Sequence, residues 1–262
     1  MIGFIGVGNM AGAILSGALK GGAVLEENVG LFDPDAEKCA RFPGARAFDS
    51  ARSLAEHCDT VIFSVKPQVL PAVLEELNGL DVQGKVFVSI CAAVATSFVT
   101  KALPHAHVIR AMPNTPMLYG KGVCALSRGA GVTDEEFASV HALFSAVGTV
   151  AVLPEELQNA IIAVTGSSPA YLFALAEAMA DSAEKSGFDY RASVRWIADV
   201  FEGAAAMLKE SGMSPRELCE MVCSPGGTTL EAMRVFREAR FAETVDRAMD
   251  ACTHRAEELQ KD

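Results

Sequence analysis

Short apolar runs alternate with helical stretches along the chain up to residue 153, and beyond it the runs stop. The first run begins at Ile2 and enters a pair of glycines, Gly6 and Gly8. Further runs cover Asn28–Phe32, Arg46–Phe48, Thr60–Val65, Lys85–Ile90, Val108–Ala111, Val123–Leu126 and Thr149–Leu153. Short segments rich in Val, Ile and Phe predict strands. Between them, helical stretches fall at Asn9–Lys20, Asp35–Arg41, Ser50–His57, Pro67–Leu77, Thr96–Ala102 and Thr133–Ser145. Thr133, followed three residues later by Glu136, reads as a capping box that opens the last of these. The alternation predicts an α/β fold: a doubly wound, mostly parallel sheet with helices on both faces.

From Pro154 onward no strand pattern is visible, and the chain reads as five or six helices. The expected domains are therefore residues 1–153 and an all-α part, residues 154–262. Trp196, Val200, Ala204, Met207 and Leu208 recur at helical spacing, with Arg195, Asp199, Glu202 and Lys209 elsewhere on the wheel. Gly212 closes that helix, and Ser214-Pro215-Arg216-Glu217 opens the next with an N-cap and a proline at the first helical position. The helix from Pro169 to Ser186 is apolar over much of its circumference. So much apolar surface exceeds what a small helical domain buries alone, which predicts a second copy of the chain against it.

Two glycine-rich segments suggest chemistry. Ile5-Gly6-Val7-Gly8-Asn9-Met10-Ala11 joins the first strand to the first helix as G-x-G-x-x-A. In that context Gly6 permits the tight turn, Gly8 lets a pyrophosphate reach the backbone, and Ala11 keeps helix and sheet close. Asp33 follows the second strand, where a carboxylate can accept both ribose hydroxyls of NAD and repel the 2′-phosphate of NADP. Lys38 is the nearest cation, and no arginine stands within the next few positions, so NADH is the expected partner. The second segment is Cys223-Ser224-Pro225-Gly226-Gly227-Thr228-Thr229-Leu230-Glu231. Thr228 and Glu231 have capping-box spacing, which predicts a helix start with open N–H groups suited to a carboxylate or phosphate.

Composition narrows the partners. The net charge of −11 argues against nucleic acid or an anionic membrane surface. The seven cysteines are odd in number and form no C-x-x-C pair, and no Cys/His spacing suits zinc, so no metal is expected. Unpaired thiols suit the cytoplasm. The first residues run into a strand without a basic leader. The uncharged run Leu157–Ala176 is broken by Thr165-Gly166-Ser167-Ser168-Pro169, which argues against a membrane span. His105 and His107 read as surface residues.

With these residues in place the chain resembles the pyrroline-5-carboxylate reductases. Beyond the first glycine motif, the matching segments are Val65-Lys66-Pro67, Ser89-Ile90-Cys91-Ala92-Ala93, Arg110-Ala111-Met112-Pro113-Asn114-Thr115-Pro116, Gly166-Ser167-Ser168-Pro169-Ala170-Tyr171 and Ser224-Pro225-Gly226-Gly227-Thr228-Thr229. The resemblance implies an N-terminal Rossmann-type domain and a C-terminal helical dimerisation domain, in dimers that can assemble further into decamers. It implies NAD(P)H-dependent reduction of a cyclic imine, 1-pyrroline-5-carboxylate, to L-proline, the last step of proline biosynthesis. By match, the cofactor would touch Ile5, Gly6, Val7, Gly8, Asn9, Met10, Asp33, Ser64, Val65, Lys66, Pro67, Ile90, Cys91, Ala92 and Asn114. Substrate would meet Thr228 and Thr229, with Ser224, Gly226 and Gly227 shaping the pocket and Glu155 nearby; Thr229 is the expected catalytic side chain. Two positions depart from the family: Asp33 replaces a small hydroxyl residue, and Ala93 replaces a glycine.

Two other functions fit parts of the pattern. Another imine reductase or a hydroxyacid dehydrogenase would share the two-domain plan; such hydroxyacid dehydrogenases use a catalytic lysine on the helix entering the second domain, and Gln158–Tyr171 contains no lysine. A non-catalytic dinucleotide-sensing module would have no use for the Gly226–Thr229 turn.

Overall fold

The computed structural model describes residues 1–260. The chain begins with β1 (Ile2–Ile5), α1 (Asn9–Lys20), β2 (Val29–Phe32), α2 (Ala36–Ala40), β3 (Arg46–Ala47), α3 (Ala51–His57) and β4 (Thr60–Phe63). It continues with α4 (Leu70–Glu76), β5 (Val86–Ser89), α5 (Thr96–Ala102), β6 (His107–Met112), β7 (Gly122–Arg128), α6 (Asp134–Ser145) and β8 (Gly148–Val152). Among the described residues these strands form one eight-stranded sheet in the order β3-β2-β1-β4-β5-β6-β7-β8. Every pairing is parallel except β6 with β7. Only nine residues separate those two, among them a tight 3-10 turn, Thr115–Tyr119, and Gly120 at φ +68°, too few for a parallel crossover.

Alternation along each strand sends side chains to two cores. Ile62, Val86 and Val88 join Ile14, Leu15 and Phe144 on one face. Val61, Phe63 and Phe87 join Leu54, Leu70 and Val99 on the other, with the Phe63 and Phe87 rings stacked at 5.6 Å. Both faces are covered, which is why these strands are almost wholly apolar. The capping box at Thr133 and Glu136 forms as expected. His107 is not simply a surface residue: its Nδ1 lies 2.9 Å from Glu136, binding β6 to the start of α6.

The remaining helices are α7 (Ser168–Lys185), α8 (Tyr190–Glu210), α9 (Pro215–Val222), α10 (Thr228–Glu238) and α11 (Phe241–Leu259). By contacts the chain divides into Met1–Ser167 with the end of the chain from Ala251, and Ser168–Asp250. That division falls later than Pro154, where the strand pattern ends. Buried polar bonds account for the difference. Gln158 donates to the Arg110 and Ala125 carbonyls and to the Ser127 hydroxyl, so the segment after β8 is fastened to the sheet. Arg110, 3% exposed, donates to Asn159 Oδ1 at 2.6 Å, and Asn159 in turn donates to Gln260.

The helical unit, taken alone, leaves large apolar side chains in solvent. Phe173 is 67% exposed, Trp196 55%, Val200 61% and Leu208 52%. Trp196, Val200 and Leu208 lie on the stripe that recurs at helical spacing, and Phe173 lies on the largely apolar helix α7. No described helix is long and apolar enough to cross a membrane.

Candidate functional site

The sheet reverses its winding between β1 and β4, the crevice where open α/β sheets take ligands. The loops after β1, β2, β4 and β5 meet there. Gly6 adopts φ +92°, and a Cβ on it would lie 2.8 Å from the Ser64 carbonyl oxygen, so only glycine fits. The Ser64 hydroxyl locks the turn by donating to the Ile5 and Gly6 carbonyls at 3.1 and 2.6 Å. A Cβ on Gly8 would meet nothing within 4 Å. Gly8 is also the N-cap of α1, whose start has no side-chain cap and no acidic residue in its first turn. An open backbone at the positive end of a helix fits a pyrophosphate. Ile5 and Val7 are buried, whereas Asn9 is exposed and Met10 packs partly on the core.

Asp33 is at the end of β2. Its Oδ2 accepts from Val7 N at 2.8 Å, and its Oδ1 accepts from Asp35 N and from Lys38 Nζ, both at 3.0 Å. Burial pushes its carboxyl up, but the backbone N–H bonds and the Lys38 ammonium outweigh this and hold it below the usual carboxylate value. Arg41 was missed from sequence. Following the short α2, its guanidinium donates to the Val7 carbonyl at 2.5 Å and to the Lys38 carbonyl at 3.1 Å. The clue was the brevity of α2, which cannot carry Arg41 away from the glycine turn.

Val65, Lys66 and Pro67 follow β4, and Ile90, Cys91 and Ala92 follow β5. Lys66 and Ala92 are exposed. Cys91 is buried, its Sγ donating to the Val65 carbonyl at 3.3 Å, and burial pushes its thiol up to about 11. It is a spacer, not a nucleophile. Pro67, Ala92 and Ala93 wall a mostly apolar cavity of about 280 Å³ with Ile162, Cys252, Arg255 and Ala256. Ala93 adopts φ +55°, a left-handed conformation that glycine would take without the Cβ penalty.

Two expected site residues are engaged structurally. Asn114 is buried; its Oδ1 accepts from Val123 N at 2.8 Å and its Nδ2 donates to the Thr165 carbonyl at 2.9 Å. Glu155 accepts from Thr96 N at 2.7 Å and from the Thr96 hydroxyl at 2.6 Å, with Arg110 3.7 Å away. These bonds fasten Glu155 to the start of α5.

The second glycine turn belongs to the helical unit and joins α9 to α10. Gly226 adopts φ +71°, and Gly227 N donates to the Ser224 carbonyl at 2.9 Å. The expected Thr228–Glu231 capping box does not form. Gly227 is the N-cap, Thr228 begins the helix, and Glu231 pairs with Arg234 at 3.0 Å instead. Thr228 therefore contributes an N–H rather than a capping hydroxyl, and no side chain caps the first turn.

Comparison with known proteins fits both units. Residues 1–93 match the family described as NADP oxidoreductase, coenzyme F420-dependent, and residues 155–259 match pyrroline-5-carboxylate reductase dimerisation. The chain is 39% identical to the pyrroline-5-carboxylate reductase of Escherichia coli K12, over 99% of this chain and 98% of that protein. The structure of a pyrroline-5-carboxylate reductase from Coxiella burnetii superposes with TM-score 0.90 at 30% identity, covering 100% of this chain and 98% of that one. The Plasmodium falciparum pyrroline carboxylate reductase, solved with NADP bound, shares the fold at TM-score 0.92 and 24% identity, covering 99% of this chain and 98% of that one. Likeness at this level over almost all of both sequences assigns the chain to the pyrroline-5-carboxylate reductase family.

Proposed function

We propose that this chain reduces 1-pyrroline-5-carboxylate to L-proline with a reduced nicotinamide dinucleotide, NAD(P)H. The observation that carries the proposal is the uncapped glycine turn before α10: Gly226 at φ +71° and Gly227 as a cap without a side-chain bond. Open N–H groups at a helix start bind a carboxylate, with a dipole contribution of about 0.3–1 kcal/mol. Ser224, Gly226, Gly227, Thr228 and Thr229 are the proposed grip on the substrate's acid group.

The bound dinucleotide supplies the hydride. The protein's task is orientation. A protonated cyclic imine is already electrophilic, so no strong acid is required and positioning supplies most of the rate. The Thr229 hydroxyl accepts from the protonated ring nitrogen and fixes the ring face. On the sheet unit, the turn at Gly6–Gly8 and the loops at Ser64–Pro67 and Ile90–Ala92 hold the cofactor. The Asp33 carboxylate supports NADH over NADPH on charge.

The exposed Phe173, Trp196, Val200 and Leu208 support a homodimer through the helical unit, with the decamer as its higher assembly. Four buried free thiols, Cys39, Cys58, Cys91 and Cys124, support a reducing compartment, the cytoplasm.

Purified protein should oxidise NADH when given pyrroline-5-carboxylate; absence of turnover with either nicotinamide cofactor rejects the proposal. Thr229→Ala should lower kcat by roughly tenfold to a hundredfold, the worth of a hydrogen bond to a charged group, with NADH affinity intact. Unchanged turnover would remove Thr229 from the chemistry.

A further inference from the structure

Seven free thiols are spread along the chain, and two of them stand four residues apart, just before the second glycine turn. Cys39, Cys58, Cys91 and Cys124 are buried, whereas Cys219 and Cys223 are half-buried, open enough to meet a small solute. Cys219 lies within α9, and Cys223 is the residue that ends it. Positions i and i+4 share one face of a helix, and the two thiols interact. At helical rise their Cα atoms are about 6 Å apart, inside the range of about 4.4–6.8 Å that a disulfide bridges. Their Cβ atoms, at about 5–6 Å, must close by about 1–2 Å. Cys219 is held within the helix, so the movement falls on Cys223, whose φ −92° and ψ 82° already leave it. Ser224 follows directly, and its carbonyl accepts from Gly227 N at 2.9 Å, closing the turn. A Cβ on Gly226 would meet nothing within 4 Å, so packing there does not resist a shift.

We infer that Cys219 and Cys223 are a redox pair that hydrogen peroxide closes into a disulfide, and that closure displaces the Ser224–Thr229 turn and weakens its grip on the imine's carboxylate. The inference rests on the proposed substrate role of that turn. One sulfur attacks a peroxide oxygen; the O–O bond breaks, a sulfenic acid forms and water leaves. The other sulfur attacks the sulfenic sulfur; the S–S bond forms, the S–O bond breaks and a second water leaves, the thiol protons going with the waters. The two thiols lose two electrons in all, and one peroxide is reduced to two waters. A dithiol reductant reverses the closure by exchange. Partial burial and the neighbouring Cys219 push the Cys223 thiol up, which makes Cys219 the attacking sulfur.

A single tryptic fragment, residues 217–234, carries both cysteines, so mass spectrometry reads the pair without an assay of turnover. After hydrogen peroxide, the full-length protein should yield that fragment lighter by two hydrogens, apart from any methionine oxygen, and closed to alkylation. Amide hydrogen exchange over residues 224–229 should change with it. In steady state KM for the imine should rise roughly tenfold, the worth of a hydrogen bond to a charged group, with KM for NADH retained, and dithiothreitol should restore it. Cys219→Ser should keep basal kcat and KM and lose the response. Free thiols, separate sulfinic acids or a cross-link between copies overturn the inference, as does a disulfide that leaves the exchange, or the KM of an active enzyme, unchanged. A KM rise that persists in Cys219→Ser also overturns it, since peroxide then acts elsewhere. If the disulfide forms and the turn's exchange changes, but neither cofactor is oxidised with pyrroline-5-carboxylate, the proposed reaction fails and the redox pair stands.

Discussion

The two glycine turns are built to the same plan and held in opposite ways. Each has one glycine at positive φ, Gly6 at +92° and Gly226 at +71°, and each leads into a helix whose N-cap is a glycine without a side-chain bond. Around Gly6 the fold leaves no freedom. The Ser64 carbonyl lies where a Cβ would sit, the Ser64 hydroxyl ties two carbonyls, and Asp33 and Arg41 grip the Val7 peptide from its N–H and its C=O. Around Gly226 a Cβ would meet nothing within 4 Å, and the turn is kept by local backbone bonds such as Gly227 N to the Ser224 carbonyl. The first turn is shaped by the sheet beneath it. The second is shaped by its own sequence, so it can change without disturbing a core.

Substitutions at the two glycines test that contrast most strongly. Gly6→Ala combines a left-handed conformation, about 1–2 kcal/mol, with overpacking against backbone, about 1–3 kcal/mol. Out of a total stability of about 5–15 kcal/mol, the sum should lower Tm by several degrees and abolish dinucleotide binding. Retained cofactor affinity would show that the turn yields more easily than its packing indicates. Gly226→Ala meets only the conformational cost, about 1–2 kcal/mol, partly offset by reduced freedom of the unfolded chain. It should raise KM for the imine and leave both Tm and NADH affinity close to wild type. A Tm loss as large as that of Gly6→Ala would erase the distinction.

Acid should also separate the turns. Burial raises the Asp33 carboxyl, but its backbone N–H bonds and Lys38 hold it below the ordinary carboxylate value, so its clamp on Val7 N is complete above that ordinary value and is lost as pH falls through the lowered one. Nucleotide affinity at the sheet unit should therefore decline on acidification below about pH 4, and Asp33→Asn should flatten the decline. A profile identical in wild type and Asp33→Asn would exclude the clamp. The smallest effect is expected at Ala93. Replacing it with glycine removes an αL penalty of about 1–2 kcal/mol and adds about 0.5–1 kcal/mol of unfolded-chain entropy. A slight gain in Tm is expected by calorimetry, and a clear loss would mean that φ +55° is not strained there.

Secondary structure was legible because each element carries its own signal. The limits expected for the first and fifth helices, Asn9–Lys20 and Thr96–Ala102, coincide with the observed ones. The capping box at Thr133–Glu136 formed, whereas the one at Thr228–Glu231 did not. Spacing alone cannot say whether a threonine caps a helix or begins it; the preceding Gly226 and Gly227 moved the cap back by one residue. The exposed stripe at Trp196 and Val200 was correctly periodic, yet periodicity gives a face and not what lies against it.

What the sequence determined by itself is what depends on neighbours in the chain: strand and helix order, the glycines that must adopt positive φ, and the family motifs. What tertiary structure decided is which distant groups meet. A carboxylate at position 33 reads as a cofactor filter until the fold brings Val7, Lys38 and Arg41 to its sides. Asn114 and Glu155 likewise turn out to be bound to Val123, Thr165 and Thr96. Electrostatics and hydrogen bonding act across a few ångströms of space, and sequence separation carries almost no information about those distances.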